Sequence, residues 1–323
     1  KKLAVFFEEG KEYPRALEAY GRAMEIAKAS GEKKTEAQLK NAVANVYKQQ
    51  KDYPQAIAAF LAAAELAKIS EDKALQCDSV WDAGYMHDLS GNLTKTIAFL
   101  KQALQIARQS NDSYRQARIL GQLADYYKRS KEFPKVFDSN KEALKLSRSL
   151  GDKKMEASLL KSIAGYHQDL GEYSKSMDAF RDCLKLSRSA GAEGTEVAAL
   201  GDMGSLYYRL GDYAKALERY TQSLNGGRRI KDSYVEANML NNIGLVHEHL
   251  EDYATALDHF RQAAERYRKL EASDDIPQGN TGDIHMFQGR YDEAFKIYSK
   301  YKTSLRLGNY YLKTGNPEKA LAH

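Results

Sequence analysis

The chain has little of several features that would place it in other classes of protein. Its 323 residues include only 5 prolines and 2 cysteines, and no apolar run approaches the length of a membrane span. Cys77 and Cys183 lie more than a hundred positions apart, which makes a disulfide between them implausible in an extended fold. A reducing, cytoplasmic location and no insertion into a membrane are therefore expected.

Blocks of like charge are also missing. The 49 basic and 44 acidic residues give a formal net charge of +5, and both signs are scattered along the chain. A nucleic-acid-binding arm or a polybasic membrane patch would instead gather its cations into one segment. A composition of 43% hydrophobic and 29% charged residues fits a soluble, helix-rich protein, and no nucleic-acid partner is expected.

What the sequence does have is a forty-residue repeat. Small residues follow each anchor of the repeat by three and ten positions, as Ala256 and Ala263 follow Tyr253, and an aromatic or large apolar residue usually stands at Phe260 and its equivalents. Spacings of three and four place these residues on one face of a helix, where small side chains admit a close neighbour. The anchors in seven successive units are Tyr13, Tyr53, Leu93, Phe133, Tyr173, Tyr213 and Tyr253.

A second helix is predicted upstream of each anchor. Its buried stripe is clearest in Leu240, Ile243, Gly244 and His247. The place of Gly244 always holds a residue without bulk, as expected where two helices cross closely. The equivalent residues are Ala4, Ala44, Gly84, Ala124, Ala164 and Gly204.

Each unit is therefore predicted to be an antiparallel helical hairpin. Turns such as Leu210-Gly211-Asp212 offer a glycine for the left-handed helix cap and an acid to open the next helix. A hairpin of this kind cannot bury its apolar face alone and must stack on its neighbours. The fold class is all-α, a right-handed superhelical solenoid, with seven hairpins in residues 1–270, the first truncated, and irregular hairpins in 271–323, the last truncated.

Two places interrupt the pattern. Gly226 and Gly227 fall inside a predicted helix, which is expected to end early or bend there because interior glycine costs about 1 kcal/mol relative to alanine. Near the end of the chain, 26 positions separate Tyr291 from Pro317, too few for two full helices. Either the helix from Tyr291 ends near Lys302, or residues are missing there.

The order and spacing of the repeated residues resemble the tetratricopeptide repeat. The resemblance covers nearly the whole chain, and the forty-residue period is similar to that of Rap regulators, kinesin light chains, Pins/LGN adaptors and the helical arrays of CHAT-protease proteins. It implies binding of peptides or partner domains along the concave side. In such arrays an asparagine at the place of Asn242 holds a peptide backbone, whereas other hairpins here have Asp202, Ser162, Gln122, Asp82 or Ala42. The residues that carry the resemblance are Leu240, Gly244, His247, Tyr253, Ala256, Phe260 and Ala263.

No pattern of catalytic or metal-binding residues stands out. His87, His167 and His247 recur every eighty residues, but helices two hairpins apart lie about 20 Å from each other, too far to share an ion. Ring packing is the better interpretation. Phosphate loops, nucleophile elbows and metal-ligand spacings are lacking, so no enzyme activity, cofactor or metal is expected.

A polar stripe on the first helix of each hairpin is the predicted partner-binding surface. Any one of its residues is more simply a solvated side chain, but the single tryptophan beside a tyrosine on a polar face is typical of binding surfaces. The candidate residues are Asp78, Trp81, Asp82, Tyr85, Asp88, Arg118, Gln122, Asp125, Lys128, Arg129, Tyr208, Asn238, Asn241 and Asn242.

The sequence thus predicts a protein–protein interaction scaffold that binds a peptide or partner protein in a concave groove, as part of a larger polypeptide. The alternative is a regulatory or sensor region of an enzyme such as a CHAT-type, caspase-like protease, whose catalytic domain would lie outside these residues.

Overall fold

A computed structural model describes residues 2–322 of the chain. Every regular element in that range is a helix, and none is a strand. The helices are α1 (Lys2–Glu9), α2 (Tyr13–Ala29), α3 (Lys33–Gln49), α4 (Tyr53–Ile69), α5 (Lys73–Leu89), α6 (Leu93–Gln109), α7 (Ser113–Arg129), α8 (Phe133–Ser149), α9 (Lys153–Asp169), α10 (Tyr173–Ala190), α11 (Glu193–Arg209), α12 (Tyr213–Arg229), α13 (Ser233–His249), α14 (Tyr253–Lys269), α15 (Asp275–Phe287), α16 (Tyr291–Lys300), α17 (Ser304–Lys313) and α18 (Pro317–Ala320).

The chain divides into two compact units, Lys1–Tyr166 and His167–His323. Within each unit, helices that follow one another in sequence pack as hairpins. First helices of successive hairpins also touch, as α3 touches α5 in unit 1 and α11 touches α13 in unit 2. The all-α architecture of stacked hairpins is therefore confirmed. The change of repeat type predicted at residue 270 stays a prediction.

The turns inside the hairpins end one helix and cap the next. Gly91 has a φ of +75°, the left-handed conformation that glycine adopts without strain. The amide of Asn92 then donates to the carbonyl oxygen of His87 at 2.8 Å, which satisfies one of the free carbonyls of α5. The Asn92 side chain accepts from the amide of Lys95 at 3.1 Å and so caps α6.

The small residues predicted at the helix crossings are buried. A Cβ atom added to Gly204 would lie 2.6 Å from the ring of Tyr220, and one added to Gly244 would lie 2.6 Å from the ring of Phe260. Ala124 is 1% exposed at the equivalent crossing in unit 1. The rings of Tyr220 and Phe260 thus lie directly on the first helices of their hairpins, and the missing side chain of the glycine is what permits each contact.

The tandem glycines do not end α12 early, contrary to one of the two predicted outcomes. The helix continues through Gly226 and Gly227 to Arg229. A Cβ atom at Gly226 would lie 2.4 Å from Val197 of α11, and one at Gly227 would lie 2.9 Å from Val235 of α13. Close packing of α12 against its two neighbours therefore explains both glycines. At the other interruption, α16 ends at Lys300, so the helix that begins at Tyr291 has only 10 residues.

A recurrent ion pair joins one hairpin to the next, and the sequence pattern did not predict it. An arginine in the last turn of a second helix reaches a glutamate in the first turn of the following helix. Arg148 Nε lies 2.7 Å from Glu156 Oε1 in unit 1, and Arg188 Nε lies 2.7 Å from Glu196 Oε1 in unit 2. The glutamate side chains are mostly buried, so each pair links the end of one hairpin to the start of the next by a charge-assisted hydrogen bond.

Candidate functional site

A groove crosses the first helices of three hairpins in unit 1. It has a volume of about 590 Å³ and runs over α3, α5 and α7. We call it the Trp81 groove. Its lining residues are Asn41, Lys48, Leu75, Asp78, Trp81, Asp82, Tyr85, Tyr114, Arg115, Arg118 and Gln122.

Trp81 lies beneath this groove rather than projecting into solvent, which corrects the expectation of an exposed ring. Its side chain is 8% exposed and packs within the main apolar core of unit 1. The indole Nε1 donates to Gln122 Oε1 at 2.5 Å, and the Arg118 guanidinium lies 4.6 Å from the ring centroid. Gln122 and Arg118 come from α7, so both cover a ring that belongs to α5.

The acidic face of α5 and the basic face of α7 neutralise each other in part. Arg115 holds Asp78 through two bonds of 2.7 and 2.8 Å. Arg129 lies 2.6 Å from Asp88, which also accepts from the Tyr126 hydroxyl at 3.0 Å. The ion pairs formed by Asp78, Asp88 and Arg129 therefore link neighbouring hairpins.

Two aromatic rings and two cations remain at the rim of the groove. Tyr85 is 40% exposed and Tyr114 is 46% exposed. Lys48 Nζ lies 5.7 Å from the centroid of the Tyr85 ring, and the Arg118 guanidinium carbon lies 5.7 Å from that of the Tyr114 ring. Neither cation forms an ion pair within 4.0 Å in the part of the chain that the structure describes. This rim has the mixed aromatic and charged character of a protein-binding surface.

Asp82 is a poorly solvated carboxyl between these cations. Burial raises its pKa to about 6, and the nearby Asp78 carboxylate raises it further, whereas Lys48 and Arg118 oppose the shift. Desolvation is the largest of these effects because the groove wall replaces water around the carboxyl group. Asp82 therefore changes its charge in the pH range in which most aspartates stay ionised.

Asp82→Asn is expected to stabilise the protein at neutral pH. The pKa of Asp82 is higher in the folded protein than in the unfolded chain. Its contribution to stability is therefore most favourable below its pKa in the unfolded chain and is lost as the pH rises through about 6. Removing the charge should raise the free energy of unfolding by roughly 1–2 kcal/mol near pH 7.5 and change it little near pH 4. Urea unfolding of both proteins at the two pH values measures this difference, and an equal effect at both would contradict it.

A second groove of about 470 Å³ shares Trp81, Tyr114, Arg118 and Gln122 with the first and continues to α9. The predicted residue Asp125 lines it and is exposed. Lys128 is exposed on the same helix but lines neither groove. Arg118 thus forms the shared wall between two adjacent depressions on the first-helix surface of unit 1.

The four remaining predicted residues belong to unit 2. Tyr208 is half-buried and packs against His249 with 5.2 Å between ring centroids. Asn238 accepts from the Tyr267 hydroxyl at 2.6 Å, and Asn241, which is 6% exposed, accepts from Asn280 at 2.9 Å. Asn242 is partly exposed.

A cavity of about 740 Å³ in unit 2 lies among α15, α16 and α17 and contains none of the predicted residues. Asp283 and Arg306 line it, but they pair with each other at 2.9 Å, and Asp283 also accepts from the Tyr298 hydroxyl. Burial and the Asp283 charge raise the pKa of nearby Glu248 to about 7. Asp283 and Arg306 are thus engaged with each other, whereas Glu248 Oε2 is buried and has no hydrogen-bond partner among the described protein atoms.

Two models of known protein families match parts of this chain. The model of the tetratricopeptide repeat matches residues 154–229 and 194–269. The hairpins within residues 154–269 are therefore similar to tetratricopeptide repeats. The model of the soluble NSF attachment protein, SNAP, matches residues 42–190, a similarity that the sequence analysis did not anticipate. No curated protein matches the chain at a significant level.

Solved structures share the tetratricopeptide-like fold at low sequence identity. The apo form of RapI is 17% identical, with a TM-score of 0.61 over 76% of this chain and 94% of that one. Aspartyl phosphate phosphatase F from Bacillus subtilis is 12% identical, with a TM-score of 0.66 over 86% and 73%. A STAND signal-transduction ATPase with a tetratricopeptide repeat sensor, from Pyrococcus horikoshii, is 17% identical, with a TM-score of 0.64 over 97% of this chain and 45% of that one.

The spaced histidines of the tetratricopeptide-like hairpins take part in packing and turn contacts. His87 stacks on Phe99 with 5.2 Å between centroids, and His247 stacks on His259 at 5.6 Å. Between residues 2 and 322, no three His, Cys, Asp or Glu side chains are grouped as metal ligands. Nor does any helix in that range have the length and apolar character needed to cross a membrane.

Sequence analysis missed Lys48 and Tyr114, two rim residues of the Trp81 groove. Both belong to first helices, but Lys48 lies one hairpin before the candidates and Tyr114 is the second residue of α7. A search for aromatic residues near the start of first helices would have found Tyr114. Lys48 occupies the place of Asp88 and Lys128 in the repeat, so the register itself could have identified it.

Proposed function

We propose that this tetratricopeptide-like array binds an extended segment of another protein in the Trp81 groove. One observation carries the proposal: Tyr85 and Tyr114, both substantially exposed, border a groove of about 590 Å³. Tyrosine rings supply large contact areas at low entropic cost, and rigid helices hold these two in place. The proposed activity is binding, without a catalytic step.

The charged residues of the groove support a role in recognition beyond simple solvation. Asp78 and Arg115 neutralise each other, whereas Lys48, Asp82 and Arg118 have no ion-pair partner within 4.0 Å among the described residues. Uncommitted charges beside aromatic anchors can steer a charged partner and fix its register. The remaining candidates, including Asp125, Lys128, Tyr208 and Asn242, stay predictions.

Alanine at both Tyr85 and Tyr114 is expected to weaken segment binding at least about tenfold, because exposed aromatic anchors carry much of an interface's energy. Peptides selected from a random dodecapeptide display library against the intact protein provide the probe. Fluorescence anisotropy of the selected peptides then gives their affinity for the parent and the double variant.

Phe137→Ala is the matched control for this experiment. Phe137 lies in the same unit and is 41% exposed, but it belongs to a second helix outside the groove. Its replacement should leave affinity within about twofold, as expected for a residue away from the interface. Selected peptides that bind the double tyrosine variant as tightly as the parent would overturn the proposed site.

A further inference from the structure

A cleft of about 510 Å³ lies on the second-helix side of unit 1, between α6 and α8. We call it the Tyr127 cleft. Its floor is formed by the buried residues Leu120, Leu123 and Tyr127 of α7. The residues of α7 that line the Trp81 groove belong to the opposite face of that helix, as the spacing of 3.6 residues per turn requires. The cleft is therefore separate from the site proposed above.

The cleft lies where two other hairpins place an aromatic ring. Ser139 lines it from α8 and is 8% exposed. Forty positions earlier, Phe99 stacks on His87 with 5.2 Å between ring centroids, and His87 is the repeat equivalent of Tyr127. The equivalent pair of rings in α13 and α14 also stacks, at 5.6 Å. Among the described residues, no aromatic side chain of α8 stacks on Tyr127.

Two lysines occupy the space beside the Tyr127 ring. Lys101 Nζ lies 5.8 Å from its centroid and Lys135 Nζ lies 5.4 Å from it. Lys135 is paired with Glu132, whereas Lys101 has no ion pair within residues 2–322. Tyr127 is 6% exposed, so a ligand reaches the ring by displacing these exposed and flexible side chains. Their ammonium groups then stay beside the ligand.

The walls of the cleft are basic. Together α6 and α8 contain seven lysines and arginines and two acidic residues, an excess of cations equal to the net charge of +5 of the whole chain. One ion pair crosses the cleft, between Arg108 and Glu142 at 2.8 Å, and both side chains are about half exposed. In the part of the chain that the structure describes, Lys101, Lys141 and Lys145 form no ion pair. An anionic partner is therefore favoured.

We propose that the Tyr127 cleft is a second binding site, which takes an acidic segment of another protein. An aromatic side chain of that segment stacks on Tyr127, and carboxylates beside it bind Lys101 and Lys135. The apolar floor and basic walls favour this ligand over single-stranded nucleic acid, which uses several successive stacking rings where the cleft has one. The inference goes beyond the proposed function and does not depend on it.

Three pools of capped nonapeptides test the ligand. They share random uncharged flanks and differ only in the central tripeptide, which is Glu-Phe-Glu, Gln-Phe-Gln or Glu-Ser-Glu. The immobilised protein is the full chain with alanine at Tyr85 and Tyr114, which lacks the anchors of the Trp81 groove. It should retain the Glu-Phe-Glu pool at least about fivefold better than either other pool, because both the ring and the charges contribute.

Ser139→Phe tests the position of the ligand's ring. Phenylalanine there can stack on Tyr127 as Phe99 stacks on His87, so the cleft is filled from within the chain. Retention of the Glu-Phe-Glu pool should fall at least about tenfold, as expected when an aromatic anchor is excluded. Ser139→Ala is the matched control. It keeps the space open and should leave retention within about twofold.

Lys101→Gln tests the charge without altering the buried floor. It should lower retention of the Glu-Phe-Glu pool about threefold, since an exposed cation contributes modestly to binding. Lys68→Gln is its control, because Lys68 is an exposed lysine on the second helix α4, outside the cleft, with no ion pair among the described residues. Its replacement should leave retention unchanged. Circular dichroism of every variant verifies the fold, and if Ser139→Phe unfolds the protein, Lys101→Gln decides.

The outcomes separate this inference from the proposed function. Equal retention of the three pools, or retention unaffected by Ser139→Phe and by Lys101→Gln, would overturn the cleft as a site. Peptides retained by the parent protein and lost from the double alanine variant would assign them to the Trp81 groove, which overturns the cleft and leaves segment binding intact. Tighter binding of a thymidine dodecamer or of phosphatidylserine vesicles would overturn the acidic segment as the ligand.

Discussion

Replacing Trp81 with alanine is expected to lower the free energy of unfolding by about 3–5 kcal/mol, the range found for large aromatic side chains removed from a core. The ring is 8% exposed and belongs to the main apolar cluster of unit 1, so truncation leaves a cavity. It also leaves Gln122 Oε1 without the indole N–H that it accepts, at a further cost. Urea unfolding followed by circular dichroism measures the loss.

Trp81→Phe separates the two contributions. Phenylalanine keeps most of the buried apolar surface but cannot donate to Gln122, so a smaller loss of about 1–2 kcal/mol is expected. Unchanged stability of the alanine variant would show that the ring is not part of the core. Because the alanine variant also releases Arg118, Trp81 is a poor choice for measuring binding, and Tyr85 and Tyr114 are better choices.

The fold could be predicted from the sequence because its determinants repeat. Each hairpin has a small residue where its two helices cross, and most hairpins have an aromatic ring at the facing position of the second helix. Gly204 with Tyr220 and Gly244 with Phe260 form this contact in the same way. The prediction that α12 ends early at Gly226 and Gly227 was wrong because intrinsic helix propensity was outweighed by close packing against Val197 and Val235.

One buried position departs from the repeat in a way that the pattern alone did not reveal. Asn140 stands where Phe180 and Phe260 stand in later hairpins, and it is 1% exposed. Its Oδ1 has no hydrogen-bond partner among the described protein atoms. A buried, unpaired amide oxygen is unfavourable compared with an apolar ring, so α8 packs less favourably than its equivalents.

The candidate site was harder to predict than the fold because it depends on contacts between side chains of different hairpins. The predicted stripe residues lie on α5 and α7, but Asp78 pairs with Arg115 across 37 positions, and Trp81 bonds to Gln122 across 41. Such pairs depend on rotamers and on the stacking angle, neither of which the spacing of residues specifies. Burial of Trp81 follows from those contacts.

Gly204→Leu is expected to destabilise unit 2 by at least about 1–3 kcal/mol, because overpacking forces neighbouring side chains and backbone to shift. Even a Cβ atom at this position would lie 2.6 Å from Cδ1 and 2.7 Å from Cε1 of Tyr220. Tyr220 is 3% exposed and its hydroxyl bonds to Ser205, so the ring cannot move aside without losing that contact. Hydrogen exchange should become faster first in α11 and α12, since each hairpin in such an array depends mainly on its neighbours.

Gly194→Ala in the same helix is the matched control. A Cβ atom at Gly194 would meet no other atom within 4 Å, and the residue is exposed. Alanine there should raise stability by about 0.5–1 kcal/mol, because glycine is unfavourable within a helix. Opposite effects of two glycine substitutions ten residues apart in α11 would show that the helix crossing, rather than helix propensity, requires glycine at position 204. Equal unfolding midpoints for Gly204→Leu and the parent would contradict the packing of α11 against α12.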